Sequence, residues 1–503
     1  MRAVPPQCLV RYAIVNLRTV VALIAAGAAF AGSAGAQGVR VNGVSAMQLV
    51  DVRPLVEDSV PIGQASGTGP YRLLPDGTVV RCVAGDAYCR FLSSGTRETA
   101  APLVQDLRAV VWGLGQGISA QAHVRARGSL GSAEATWPRA DDHFDAMEAW
   151  LEVDREQWRA RLGRQWTTGG LGLYNYDGGS LLFRPGRARI DVFGGRSLVV
   201  GLNEPATGPE LGAVDDLPPD EDGWLMGASA VVPFGTRGSV AATYQRVIRA
   251  DQAALYSERV AADASWLLFG GSADAALAYD ISALEVNDAS LQFARPIGRG
   301  VAGSVELRRH RPFFDAWTIW GAFSPVAFDE ARAELTWRNT TGNIGVDVRG
   351  AWRAYGETNA GLESTPLRTD GWRAGAGGEW LPRQAWMFYA DYDVDIGFGA
   401  SRSDVAAGAR WMPDESRWLG LVGNGLQHIY EFRVGTGRVI GVRLEGGTRI
   451  TPDVRLLADV ALYDHHLTEG AAGPDWSQRR FSVRLDWTVG RDPGTAGLPG
   501  IPP

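Results

Sequence analysis

The alternation of apolar and polar side chains over many short segments is the feature that most constrains the fold of this chain. Segment 118–127 reads ISAQAHVRAR, and every second residue in it is apolar. The same pattern recurs at 330–339, 386–396 and 481–489, whereas helical periodicity is nearly absent between residues 106 and 490. Because a β-strand sends successive side chains to opposite faces, each segment predicts a strand with one apolar and one polar face.

The connections between these segments also alternate, in length. Short turns such as 184–186 and 451–453 alternate along the chain with longer polar loops such as 129–142 and 464–477. Tight turns at one end and long loops at the other are typical of a transmembrane β-barrel. We therefore predict an all-β fold, a large antiparallel transmembrane barrel of about 20 strands, with about 16–20 compatible with the pattern. An even number would bring both chain ends to the same side.

The apolar faces need a dry partner, and lipid is the partner that the pattern favours. A closed barrel satisfies every backbone donor and acceptor within hydrocarbon, which an open sheet cannot do. The alternative is a secreted sandwich or propeller, but the repeat of about 40–50 residues expected of a propeller is not found. Tryptophans near the segment ends suit interfacial aromatic girdles: Trp337, Trp352, Trp372, Trp380, Trp386, Trp411 and Trp487.

The N-terminus carries the marks of an export signal. Three arginines precede the apolar run Val20 to Ala31, and Ala34-Gly35-Ala36 provides the small-x-small cleavage pattern. The alternative is a membrane anchor, for which this run is short. We predict a signal peptide over 1–36 and a location in the outer membrane of a Gram-negative-type bacterium.

The rest of the chain divides into three parts by pattern. Residues 37–105 contain few alternating runs and several turn signals, which favours a small periplasmic or plug-like segment. Within it, Cys82 and Cys89 form an even pair in an exported chain, which predicts a disulfide. Residues 106–490 are predicted to form the barrel, and 491–503 a flexible Gly/Pro-rich tail.

One local pattern resembles a known family. The stretch ARLGRQWTTGGLGLYNYDGG (160–179), followed by RARIDVFGG (187–195), resembles Gram-negative porins of the alginate-export and related substrate-selective type. The resemblance covers about 35 residues and implies a barrel that passes solutes without catalysis. This chain departs from that type in carrying many lumen carboxylates and no lysine. The matching residues are Gly163, Arg164, Gln165, Asp177, Gly178 and Phe193.

Two charged sets are candidates for a selectivity site. The loop 198–223 is the third outer loop by the predicted strand order, and in general porins that loop folds inward. The sharper hypothesis opposes this acidic loop to basic strands, so that a transverse field sorts ions. Alternatively, the loop lies on the surface while charge pairs brace the wall, or its carboxylates bind calcium, although they lack EF-hand spacing. The acidic residues are Glu204, Glu210, Asp215, Asp216, Asp220, Glu221 and Asp222; the predicted pore-lining arginines are Arg125, Arg127, Arg159, Arg161, Arg164, Arg187 and Arg189.

No motif for catalysis is present in the sequence. There is no G-x-S-x-G, HExxH or CxxCH pattern, and the net charge of −7 argues against nucleic acid as a partner. We predict no catalytic residue, metal or cofactor, and passive transport of small hydrophilic solutes or ions. The expected partners are outer-membrane lipid and the barrel-assembly machinery, while the oligomeric state stays open. A scaffold, an adhesin or an outer-membrane enzyme remains the alternative.

Overall fold

The structure is a computed structural model of the chain. It describes residues 38–490 apart from several internal gaps; the signal peptide predicted over 1–36 and the tail predicted over 491–503 lie outside the described residues. The gaps fall at 54, 76–78, 84, 130–143, 199–222, 250–254, 312–326, 357–368, 398–399, 432–436 and 468–474.

Almost all described elements are strands, and most of them form one sheet. Its strands are β1 (Gly38–Val52), β6 (Glu98–Ala100), β7 (Pro102–Gly115), β8 (Ile118–Ser129), β9 (Phe144–Asp154), β10 (Trp158–Gly169), β11 (Gly172–Phe183), β12 (Arg189–Ser197), β13 (Gly223–Phe234), β14 (Gly238–Arg249), β15 (Leu255–Leu268), β16 (Gly271–Asp280), β17 (Glu285–Gly298), β18 (Val301–His310), β19 (Phe328–Arg338), β20 (Ile344–Tyr355), β21 (Asp370–Arg383), β22 (Trp386–Ile396), β23 (Ala400–Asp414), β24 (Arg417–Glu431), β25 (Gly437–Thr451), β26 (Val454–Leu467) and β27 (Trp476–Gly490). A second, small sheet contains β2 (Leu55–Pro61), β3 (Tyr71–Leu73), β4 (Val79–Cys82) and β5 (Tyr88–Ser94), and a single 3₁₀ turn spans Ile62–Gln64.

The large sheet closes into an antiparallel barrel. From β7 to β27 each strand pairs with the next along the chain, and β1 joins the two ends by pairing with both β27 and β7. The short β6 continues β7 along β1, so the two count as one wall strand and the barrel has 22 strands. The predicted all-β barrel is confirmed. The predicted count of about 20 was too low, in part because β1 lies within the segment that was predicted to stand apart from the barrel.

The predicted boundary at residue 106 was wrong for the same reason. β1 pairs with β27 from Arg40 to Val50, so the N-terminal segment supplies the strand that seals the barrel. Its pattern is blurred by Ser45, a polar residue on the outer face that donates a hydrogen bond to the side-chain oxygen of Gln105 at 2.5 Å. The lumen face of β1 also carries apolar residues such as Val44 and Ala46. The alternation of this strand is therefore poorer than that of the later ones.

Among the described residues of the N-terminal segment, those between 55 and 94 form a separate unit. Their strands pair in the order β2-β5-β4-β3, and Val80, Cys82 and Cys89 lie buried at the centre. Cys82 and Cys89 face each other across β4 and β5 and are joined by the predicted disulfide. The unit connects β1 to β6, at the barrel end opposite Gly38. That is the end with the long loops, whereas the sequence pattern had favoured a periplasmic or plug position.

The two barrel ends differ as predicted. The connections after β7, β9, β11 and every second wall strand thereafter are short, and Gly38 and Gly490 lie at this same end. The longer connections, including 199–222 and 312–326, leave from the other end. Within the described residues no helix is long and apolar enough to cross a membrane.

The outer face of the barrel carries the apolar half of each strand. Leu162, Leu307 and Val348 are exposed on it, and aromatic residues mark two levels. Trp337, Trp380 and Trp411 lie near the short turns, whereas Trp224, Trp352 and Trp372 lie toward the long loops. From Trp372 to Trp380 the rise along the strand is about 26 Å, or about 20 Å vertically at the usual strand tilt. This is close to the ~25 Å height of the apolar band of outer-membrane barrels.

Candidate functional site

The hairpin of β10 and β11 leaves the barrel wall and enters the lumen. These strands pair with each other over their whole length, but β10 pairs with β9 only from Arg159 to Arg164. The tip then reaches the lumen face of strands further around the wall. A Cβ placed on Gly169 would lie 3.7 Å from the Cβ of Thr243 on β14, and one on Gly170 would lie 2.8 Å from the Cβ of Ala261 on β15. The hairpin therefore crosses part of the barrel interior.

The residues that resemble the porin motif lie at the root of this hairpin. Gly163 has φ of +125°, and a Cβ there would lie 2.2 Å from the carbonyl oxygen of Ala149, so a larger residue would not fit. Directly after it, Arg164 forms two parallel hydrogen bonds of 2.8 Å to the carboxylate of Asp177, its cross-strand neighbour. Such bidentate pairs fix geometry as well as adding energy. The motif thus marks the point at which β10 turns away from the wall.

Two further motif residues fix the lumen side of the root. The buried Gln165 donates to the carbonyl oxygen of Gly178 at 3.1 Å and accepts from the hydroxyl of Ser180 at 2.9 Å. Phe193 on β12 is buried against the ring of Tyr176, with 5.9 Å between the ring centroids. Both contacts lie on the face of the hairpin that packs against the wall.

An apolar cluster holds the underside of the hairpin against β12–β14. It contains the buried side chains of Tyr174, Tyr176, Phe193, Leu225 and Val247. Burying a side chain of this size stabilises by about 1.5–3 kcal/mol relative to leaving it exposed. Because lumen positions elsewhere in the barrel are mostly polar and partly exposed, this packing identifies the hairpin as a fixed part of the fold rather than a free loop.

The tip is held by a polar contact as well. The guanidinium of Arg259 on β15 donates to the hydroxyl of Tyr174, and its central carbon lies 5.6 Å from the centre of that ring. Both side chains are buried, as is Leu171 at the tip. Arg259 thus bridges the hairpin to a strand four positions around the wall from β11.

Five of the predicted pore-lining arginines lie on the lumen face of their strands. Arg125 and Arg161 form ion pairs with neighbouring carboxylates, Asp106 at 2.8 Å and Glu152 at 2.7 Å. Since each of these cations has a carboxylate on the next strand, the wall carries less net positive charge than the arginines alone suggest. The residues on this face are Arg125, Arg127, Arg159, Arg161 and Arg189.

The other two predicted arginines do not line the lumen. Arg164 lies on the opposite face of β10 from Arg161, where it pairs with Asp177 at the hairpin root. Arg187 lies in the short turn between β11 and β12, not on a strand. The predictions for these two were wrong because one assumed an unbroken wall strand and the other placed a turn residue in a strand.

The seven acidic residues of the predicted loop fall within 199–222 and therefore lie outside the described residues. Its number can be corrected, however. With β1 and β7 counted, the third connection at the long-loop end is Gly170–Leu171, the tip of the inserted hairpin, and 198–222 is the fourth. The expectation that the third outer loop folds inward therefore holds for a different segment from the one predicted.

The wall opposite the hairpin carries charges of both signs. Arg349 on β20 lies 2.6 Å from Asp347 and 2.6 Å from Asp391, and it also contacts Asp393. Next to it, Arg373 pairs with Asp395 at 2.8 Å. A recess in the lumen wall is bordered by Arg349, Arg373, Asp393 and Asp395. Its other charged residues are Arg332, Arg402 and Asp404.

Lumen aromatic rings are covered by arginines. The guanidinium of Arg161 lies 4.1 Å from the ring centre of Trp150, and that of Arg410 lies 4.4 Å from Trp418. Arg353 covers Phe328 in the same way at 4.9 Å. One face of each of these three rings is thus covered by a cation. Within the described ranges no group of three His, Cys, Asp or Glu side chains could hold a metal ion.

The residues that contact the hairpin tip were missed at the sequence level. Thr243, Arg259 and Asp263 belong to strands with ordinary alternation, and nothing local distinguishes them from other lumen residues. The one available signal was Gly169-Gly170, a pair without side chains that permits a close approach to the wall.

No protein-family model matches this chain. No curated protein matches it either. Among solved structures it is similar to the P pilus usher (PapC) translocation pore, with a TM-score of 0.42, 9% identity, and coverage of 90% of this chain and 99% of that one. It is also similar to the outer membrane protein OpdK from Pseudomonas aeruginosa (TM-score 0.40, 8% identity, coverage 90% and 99%) and to OccAB4 of Acinetobacter baumannii (TM-score 0.37, 8% identity, coverage 91% and 99%). These similarities extend along the chain but are too weak to assign a function.

Proposed function

We propose that this protein is an outer-membrane channel for the passive diffusion of small hydrophilic solutes or ions, in a Gram-negative-type bacterium. The observation that carries the proposal is the combination of a closed 22-stranded barrel, a charged lumen face and one hairpin that covers only part of the wall. On the opposite wall the side chain of Arg332 is 40% exposed, as expected if water fills the space beyond the hairpin. Selectivity would arise where the hairpin narrows this space.

The arrangement in the membrane follows from the same features. Lipid contacts the apolar outer face between the two aromatic levels, the short turns lie in the periplasm and the long loops face the medium. This orientation puts the disulfide-linked sheet of residues 55–94 on the cell surface. Insertion would depend on the barrel-assembly machinery. No catalytic step is part of this function.

We expect the lumen wall itself to give little charge selectivity, because its positive and negative side chains are paired rather than placed on opposite walls. The lumen arginines are matched by carboxylates on adjacent strands, so we expect only weak preference between small cations and anions from the wall itself. The acidic loop 198–223 would add cation preference if it reaches the lumen. If it lies on the surface, its charges are too distant and too well screened to matter.

The test is conductance of the refolded protein in planar bilayers, with liposome swelling to follow uncharged sugars. A channel gives steady single-channel steps and size-dependent swelling. Replacing Asp215, Asp216, Asp220 and Asp222 by Asn reports on the loop, since only a loop in the lumen would shift the reversal potential. A heat-modifiable, folded barrel that neither conducts nor swells liposomes would refute transport and favour a scaffold, an adhesin or an enzyme.

A further inference from the structure

The inserted hairpin leaves one strand edge without its neighbour. The pairing of β9 with β10 ends where Ala149 pairs with Arg164. From there toward the long-loop end, β9 has β8 on one side but no β10 on the other. Backbone carbonyl groups on such an edge require hydrogen-bond donors, and the need is greatest at membrane depth, where lipid offers none. Two carbonyls of this half belong to Ala146 and Met147, where the pairing of β9 with β8 shifts by one residue.

Two hairpin side chains supply these donors. The Nη1 of Arg164 donates to the carbonyl oxygen of Ala146 at 2.8 Å, and the Nδ2 of Asn175 donates to that of Met147 at 3.0 Å. The side chain of Asn175 is buried, so its bond is shielded from water. These two side chain–backbone bonds take the place of part of the backbone pairing that β10 would otherwise have formed with β9.

Both donors are themselves fixed in place. Arg164 is held by the bidentate contact of its Nε and Nη2 with Asp177, while its Nη1 reaches β9. The backbone carbonyl oxygen of Asn175 accepts a hydrogen bond from the backbone N–H of Leu198 at 2.9 Å, and this bond continues the pairing of β11 with β12. One residue is thus set by the hairpin partner strand and the other by the neighbouring wall strand, so the distance between hairpin and β9 is determined from both sides.

We propose that Arg164 and Asn175 are positioning residues that clip the free edge of β9 and thereby set how far the hairpin leans into the lumen. They touch no solute themselves. The width of the pore depends on them because they fix the angle at which the hairpin leaves the wall. The consequence for pore width rests on the proposed channel function, but the hairpin position can be measured without it.

The position of the hairpin is read by cross-linking. The Cβ–Cβ distance of 3.7 Å at Gly169 and Thr243 suits a disulfide, so the Gly169→Cys/Thr243→Cys pair should oxidise rapidly when the hairpin is in place. In this background Arg164→Ala or Asn175→Ala should slow oxidation on the order of tenfold, the effect of losing one buried or charge-assisted hydrogen bond. Without the cysteines, the same variants should show flickering conductance and admit larger polymers than the wild type.

Three control variants distinguish the proposed positioning role of Arg164 from that of a simple ion pair. Arg125→Ala removes an equally bidentate cross-strand pair, with Asp106, that lies away from the hairpin, and it should leave the rate of cross-linking unchanged. The exchange Arg164→Asp/Asp177→Arg preserves an ion pair at the root but places no donor at position 164, so it should behave like Arg164→Ala. Arg164→Lys keeps a cationic donor and should restore much of the wild-type behaviour.

The outcomes are decisive for folded protein, identified by its heat-modifiable mobility. Wild-type cross-linking rates in both alanine variants, or full rescue by the charge exchange, would overturn the clip. If Arg164→Ala does not fold, Asn175→Ala alone decides by the same measurement. If the wild type does not conduct but cross-linking responds as expected, the clip stands and only the channel function fails.

Discussion

At the scale of single residues, the course of the inserted hairpin depends on a glycine, an arginine and an aspartate at its root. Gly163 permits the close approach to β9, and Arg164 with Asp177 fixes the direction in which β10 continues. The sequence pattern singled out these residues as a motif. It did not indicate their role, because a pattern read along one strand cannot reveal that the next strand stops pairing with it.

Replacing Gly163 with Ala should destabilise the barrel. The new Cβ would clash with the carbonyl oxygen of Ala149 at a positive φ, and strain of this kind costs on the order of 1–3 kcal/mol. Urea titration of the folded, heat-modifiable band measures the loss. Gly179→Ala is the matched control, since a Cβ there would lie 3.5 Å from its nearest neighbour, an ordinary contact. Equal stability of both variants would contradict the strain at residue 163.

At the scale of elements, the barrel uses its hairpins in two ways. Most form the wall, where alternation predicts lumen and lipid faces, and strands such as β8 and β22 were found where the pattern predicted them. The hairpin of β10 and β11 instead folds inward, and in β10 the alternation of 158–163 ends at GRQWTTG (163–169). Whether a hairpin inserts depends on contacts with distant strands, such as Tyr174 with Arg259, which are not encoded in local periodicity.

The small sheet should depend on its disulfide, whereas the barrel should not. Cys82→Ser/Cys89→Ser removes a cross-link worth about 2–3 kcal/mol from a unit with few buried residues. We expect rapid protease cleavage within 55–94 in this variant and unchanged urea resistance of the barrel band. Mass spectrometry of the fragments locates the cuts. Resistance equal to that of the wild type under reducing conditions would show that the sheet does not need the bond.

At the scale of the whole molecule, closure depends on a strand that the sequence pattern did not assign to the barrel. β1 closes the wall between β27 and β7, so the N-terminal segment is partly barrel and partly a separate small sheet. Its alternation is blurred because Ser45 faces outward and apolar residues face the lumen. Composition and turn lengths predicted the architecture, but the strand count required the pairing of the two chain ends.

Two deletions should therefore have opposite effects. Val52 pairs with Glu98, so a tight Asn-Gly turn can replace residues 53–97 without changing the wall. We expect this variant to fold into a heat-modifiable barrel with wild-type conductance. Removing 38–105 should abolish folding, because β1, which closes the wall, is lost together with β6 and the first residues of β7. A folded barrel from the second deletion would contradict the role of β1 in closure.

The most direct test of the central claim is the single-channel conductance and polymer exclusion limit of the wild type beside a variant with a shortened hairpin. Replacing residues 166–175 by an Asn-Gly turn removes the inserted tip and keeps the root pair of Arg164 and Asp177. A water-filled channel narrowed by this hairpin predicts steady steps in the wild type, and larger steps with a higher exclusion limit in the variant. Equal conductance and exclusion in the two proteins, or no conductance in either, would contradict it.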